Sequence, residues 1–251
     1  MNQWRLKWHR IIVLAIAIFF TILAVQNFSV YSQPSLSSDL PPSRVHPLPS
    51  FLANWQDRTN SGDYFEAVEP SPLGYLVWSR FPLKVYVEQP TTATNSAADI
   101  RFKQWVTAVR QAIAEWNVYI PLKEITEQET ADIVIWRSQP EREIKLNSDT
   151  GLYDIPRAVA AETNYEFYLT EDPAVIALRM TIQISPNFAG VSLLATVRHE
   201  LGHALGIWGH SSQPSDALYF SQVSDPPPIS SRDINTLKKI YQQPTKLGWK
   251  I

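Results

Sequence analysis

Three of the chain's five histidines, His199, His203 and His210, fall within twelve residues, and Glu200 follows the first of them. Residues four apart on a helix lie about 40° apart around its axis. If residues 192–205 are helical, His199 and His203 therefore leave the same face one turn apart and can close on one tetrahedral Zn²⁺. Two ligands are too few for a tight catalytic site. Gly206, three residues beyond His203, can take a left-handed conformation that ends the helix and turns the chain back. His210 can then supply a third nitrogen and leave the fourth position open for water. Glu200 projects about 100° around the helix from His199, so it need not coordinate. It can take a proton from water whose pKa the metal has lowered toward 7 and hand it on to a leaving amine, while the metal polarises a carbonyl and stabilises the oxyanion that forms. This is the chemistry of amide hydrolysis. The H-E-x-x-H pattern alone arises by chance in about one in two hundred chains of this composition, before the glycine and the third histidine are required.

The segment HELGHALGIWGHS at 199–211 resembles the metzincin metallopeptidases, whose pattern is H-E-x-x-H-x-x-G-x-x-H followed by a Met-turn, and among them the matrixin-like bacterial members. It departs from that pattern by one extra residue. The usual spacing puts the third ligand at Gly209; His210 is taken instead, because Ser211 follows it as in matrixins. Eight residues further on, in Ala217-Leu218-Tyr219-Phe220, Leu218 stands where the turn methionine belongs. The resemblance gives Leu218, with Gly206, the role of structural support for the site. A leucine of similar volume should preserve the apolar floor at a cost under about 1.5 kcal/mol. It gives Tyr219 a wall or backbone role and makes Asp233, in Ser230-Ser231-Arg232-Asp233, a helix cap and not an acid catalyst. It further implies an α+β zincin fold, a mixed twisted sheet with an active-site helix and a C-terminal helix. One catalytic Zn²⁺ and protein or peptide substrates for an endopeptidase come with it. The likeness extends over 75–241 and is strongest over 192–220.

The elements that must carry this site are legible in outline. Residues 75–87 read as a strand or strand pair, since Leu83, Val85 and Val87 alternate with Lys84 and Tyr86. Residues 99–119 read as a helix with Phe102, Trp105, Val109, Ile113 and Trp116 on one stripe. The β-branched run at 131–136 suits a buried strand, and 177–185 alternates apolar and polar residues as another. Residues 159–169 keep one polar face, as an edge strand does; the resemblance makes this the edge that binds an extended peptide by strand addition. Phe220 and Val223 are expected as walls of an apolar side-chain pocket.

The whole chain has 251 residues, 45% hydrophobic and 18% charged, with 19 Pro and no Cys. That composition excludes collagen-like, disulfide-stapled and wholly disordered proteins, and a thiolate nucleophile or a cysteine-blocked latent zinc. A net charge of −2, with no basic run beyond the N-terminus, argues against nucleic acid as a partner. Arg5, Lys7 and Arg10 precede the apolar run 11–25, the pattern of an export signal. Residues 1–31 are a cleaved signal peptide or an anchor holding the chain to a membrane through 11–31; the sequence leaves both open. Either way the remainder is expected outside the cytoplasm. The Pro- and Ser-rich stretch 32–50 reads as a spacer in which His46 is simply solvated. Residues 51–74 form a pre-domain segment that can serve as a pro-region, and 75–251 the catalytic domain. With His9 in the targeting segment and His46 in the spacer, no histidines remain for a second zinc site, and no dense Asp/Gly loop announces calcium. Two other functions stay open, a non-catalytic module that keeps zinc for folding and a cell-wall peptide amidase. Glu200 and an open fourth position count against the first, because structural zinc sites are normally closed by four protein ligands.

Overall fold

The computed structural model describes residues 40–91, 96–141, 145–146, 153–154, 161–221 and 223–251. The elements follow in the order α1 (Ser50–Asn54), β1 (Leu83–Val87), α2 (Ala97–Trp116), β2 (Leu122–Ile125), β3 (Ile133–Trp136), the two-residue strands β4 (Lys145–Leu146) and β5 (Tyr153–Asp154), β6 (Ala161–Leu169), β7 (Ile176–Ile184), α3 (Gly190–Ala204) and α4 (Ser231–Tyr241). The apolar run at 131–136 becomes β3, parallel to both of its neighbours, with Ile133, Val134 and Ile135 all buried. A strand covered on both faces has no use for alternation. The main sheet runs β2-β1-β3-β7-β6; its first three pairings are parallel and only β6 is antiparallel to its neighbour. With helix α3 packed on α2, β6 and β7, this is the mixed α+β architecture expected.

Local chemistry explains where boundaries moved. Helix α2 starts two residues early because Ser96 caps it, accepting from Asp99 N–H at 3.2 Å. It stops at Trp116, ahead of Pro121, which cannot donate to a continuing helix. Its buried stripe includes Trp105, Val109, Ala112 and Trp116, each large side chain contributing about 2 kcal/mol by leaving water. Of the expected strand at 75–87 only 83–87 pairs; Leu76, Val77 and Trp78 are buried without a ladder. The short edge strand β2 went unanticipated, since exposed Lys123 and Glu124 occupy half of it.

Residues Pro41–Ile251 form one compact unit. The described part of the stretch expected as a spacer is held against the C-terminal tail. Arg44 exchanges backbone hydrogen bonds of 3.1 and 2.9 Å with Thr245. His46 stacks on the Trp249 ring at 4.0 Å and lies 2.8 Å from Leu247 O, so it is not the solvated side chain that composition suggested. Leu52 of α1 is fully buried, and Trp55 Nε1–H donates to Asn235 Oδ1 at 2.9 Å. A few aromatic and aliphatic anchors outweigh the low apolar content. The segment 11–31 lies outside the described residues, and among those described no helix is long and apolar enough to cross a membrane.

Candidate active site

Helix α3 delivers its histidines through the way it ends. Gly206 N–H donates to His203 O at 3.0 Å and Ile207 N–H to Gly202 O at 3.1 Å, the paired bonds of a Schellman motif. Gly206 has φ +123°, and a Cβ there would sit 2.4 Å from Leu76 O, so glycine is required twice over. Two carbonyls left over at the helix end are taken by Trp78 Nε1–H, donating to Ala204 O at 2.9 Å, and by Tyr241 O–H, donating to Leu205 O at 3.1 Å. The reversed chain returns His210 beside the other two. Ring centroids lie 5.2 Å from His199 and 4.8 Å from His203, and one nitrogen from each ring falls within 4.8 Å of the others.

The hydrogen bonds of the first two rings define their tautomers. His199 Nδ1 lies 2.9 Å from Ala217 O, and His203 Nδ1 lies 2.7 Å from Ile207 O. A carbonyl oxygen only accepts, so each Nδ1 carries the proton. Burial lowers the pKa of His199 to about 4 and of His203 to about 3, which leaves both rings neutral at pH 7 with a lone pair on Nε2. Those two Nε2 atoms stand 3.1 Å apart. Two lone pairs face each other across a buried gap with no proton between them, an arrangement that calls for a cation. Neutral imidazole nitrogens on one face are the donor set that suits Zn²⁺. His210 is the exposed member; desolvation lowers its pKa as well.

Glu200 is buried, and desolvation pushes its pKa up to about 7, against a hydrogen bond from Thr163 and aided by the Glu162 charge. Thr163 Oγ1–H donates to Glu200 Oε2 at 2.6 Å from the inward face of β6. Sequence reasoning gave Thr163 no role. The signal was a small hydroxyl side chain on a face otherwise made of Ala161, Tyr165 and Phe167.

Beneath the helix, Leu218 is fully buried and presses on α3 where Gly202 has no side chain; a Cβ at 202 would meet Leu218 Cδ2 at 2.5 Å. Asp233 does more than cap α4. Its carboxylate closes the capping box with Ser230 and also accepts from Tyr64 O–H at 2.6 Å and Ala217 N–H at 2.9 Å, fixing the turn whose Ala217 carbonyl orients His199. Asp216 likewise accepts from Ser211 Oγ–H at 2.5 Å, Ser230 Oγ–H at 2.8 Å and Arg232 Nε–H at 3.0 Å. The residue after His210 is thereby locked to the start of α4.

Beside His199 and Glu200 opens a cavity of about 190 Å³, walled by Ala195, Tyr219, Phe220, Val223, Pro226 and Pro227 among others. Phe220 and Val223 are thus where an apolar pocket needs them. Arg198 braces the far wall. Although buried, its guanidinium donates to both carboxylate oxygens of Glu115 at 2.6 and 3.1 Å and to Pro227 O at 2.6 Å. A charged residue in the otherwise uncharged run 190–198 before His199 was the cue that sequence reasoning passed over.

A family model described as matrixin matches residues 90–242, more than half of the chain. No curated protein matches it.

Proposed function

The chain belongs to the matrixin family of zinc metallopeptidases, and from that premise we propose that it is an endopeptidase working outside the cytoplasm, with His199, His203 and His210 as ligands of one zinc ion and Glu200 as the general base. The observation that carries the reading is the 3.1 Å approach of the two Nε2 atoms, each with its ring proton committed to a carbonyl on the other side. Zinc bound there supplies Lewis acidity toward the scissile carbonyl and an attacking water. With zinc in place, Glu200 would be the residue to accept a proton from the attacking water and return it to the departing amine. Thr163 holds Oε2, leaving Oε1 to make the contact with water.

An extended peptide lies along the free edge of β6, which ends the sheet, and main-chain pairing there gives affinity for polypeptide in general. The cavity beside His199 takes an apolar side chain of the substrate. Export is supported by Arg5, Lys7 and Arg10 ahead of the apolar run 11–25, with the N-terminus either cleaved or retained as an anchor; mass spectrometry of the mature chain distinguishes these. The test of the chemistry is Glu200→Ala. Casein cleavage is expected to fall by roughly 10² to 10⁴ with one zinc per chain retained. An undiminished rate rules Glu200 out as the base.

A further inference from the structure

The segment ahead of β1 reaches the metal-ligand cluster at residues 64–69. Val68 pairs antiparallel with Gly209, and Glu69 N–H donates to Trp208 O at 2.9 Å. Gly209 is the residue beside the extra position in the histidine motif. A Cβ on it would lie 2.0 Å from Ala67 O and 2.8 Å from Ala67 C, so the backbone of the segment rests directly on the loop that carries His210. Tyr64 and Val68 are buried, Tyr64 through its bond to Asp233. Ala67 and Glu69 line the same cleft as Ala161, Thr163, Glu200 and His210. The Glu69 carboxylate is not among the groups that converge with the three imidazoles, which is not how a blocking ligand would sit.

We propose that residues 64–69 are a permanent wall of the substrate cleft and position His210 through the Val68–Gly209 pairing, instead of being a pro-segment to be cast off. The glycine at 209 is explained by this seat: only a residue without Cβ lets the segment's backbone approach so closely. An extended peptide entering on this side runs between β6 and the 67–69 backbone. The cleft part of the inference rests on the endopeptidase reading; the positioning of His210 rests on the metal site alone.

Coupling of this kind is reciprocal. Whatever the segment does for zinc affinity, zinc must do for the segment. In the full-length chain, loading the zinc-free protein with zinc is expected to slow amide exchange at Glu69 at least tenfold. In full-length Val68→Asp and Gly209→Ala, Glu69 exchange is expected to quicken, zinc affinity by chelator competition to fall at least tenfold, and peptide turnover to fall with it. Exchange at Glu69 indifferent to zinc, or a freed segment with zinc affinity unchanged, overturns the positioning role. Turnover that rises when the segment is freed overturns the wall and marks the segment as an inhibitor. The zinc and exchange measurements decide the question in the unmodified chain even where a variant does not fold. A chain that cleaves no peptide at all defeats the endopeptidase reading without touching them.

Discussion

The Thr163 hydroxyl on β6 stands 2.6 Å from Glu200 Oε2 on α3 and 3.2 Å from the Glu200 carbonyl. One side chain therefore ties the sheet's edge to the helix that carries the proposed base. Hydrogen bonds to charged groups contribute about 1.5–3 kcal/mol, enough to hold a carboxylate in one orientation.

Thr163→Val is expected to lower kcat/KM by about ten- to a hundredfold, with zinc content unchanged. Thr163→Ser, which keeps the hydroxyl, should stay within a few-fold of the parent. Steady-state kinetics on a fluorogenic peptide with parallel metal analysis makes the comparison; a valine variant as fast as the serine variant denies Thr163 any positioning role.

Arg198→Met keeps most of the side chain's length and loses its donors to Glu115 and Pro227. The wall at Pro226 and Pro227 then loosens. Substrates with a long apolar side chain should show KM raised by about tenfold, and the preference among side-chain lengths should flatten, while kcat stays within a few-fold. Stability is expected to fall by about 2 kcal/mol for a partly buried ion pair left with one partner. A parallel loss for every substrate, large and small alike, would show that Arg198 serves folding alone.

Leu218→Met should be nearly silent, under about 1.5 kcal/mol, because Met and Leu fill similar volume against Gly202. Leu218→Ala leaves a hole under α3 and should cost about 2–5 kcal/mol. Denaturant melts of the two variants check the pair, and a destabilised methionine variant would mean that the floor is shaped specifically for leucine.

How much of this was readable beforehand depended on whether a residue's role was local. The H-E-x-x-H spacing, the glycine that ends the helix and the Ser230-to-Asp233 cap are short-range features, set by helical geometry and by the backbone's need for partners, and the sequence displays them. Strands β3 and β7 announced themselves by β-branched or alternating runs. By contrast, Thr163, Arg198 and the seat of 64–69 on Gly209 act across 37, 83 and 141 positions of chain. Nothing in their own neighbourhoods encodes the partner. The stretch 40–50 was misleading for a related reason: its proline content describes how it behaves alone, whereas Arg44 and His46 gain their partners from Thr245, Leu247 and Trp249. Asp233 was read correctly as a cap, but its bonds to Tyr64 and Ala217 became visible only once α4 was docked under the site.

Removing zinc with a chelator should expose the cost of facing lone pairs. A ligand present at a thousandfold over its dissociation constant stabilises a protein by about 4 kcal/mol, which for a domain of this size corresponds to roughly 8–16 °C in Tm. Calorimetry with and without zinc is expected to show a shift of that order, restored on adding the metal back. Identical transitions would mean that the folded chain does not bind the ion.

X-ray absorption at the zinc edge of the loaded full-length protein reads the coordination shell directly. Three imidazole nitrogens at about 2.0–2.1 Å with one further light ligand from solvent are expected, and the number of imidazoles should drop to two in His210→Ala. A shell of four protein ligands, or a spectrum unaltered by that substitution, contradicts a three-histidine site open at its fourth position.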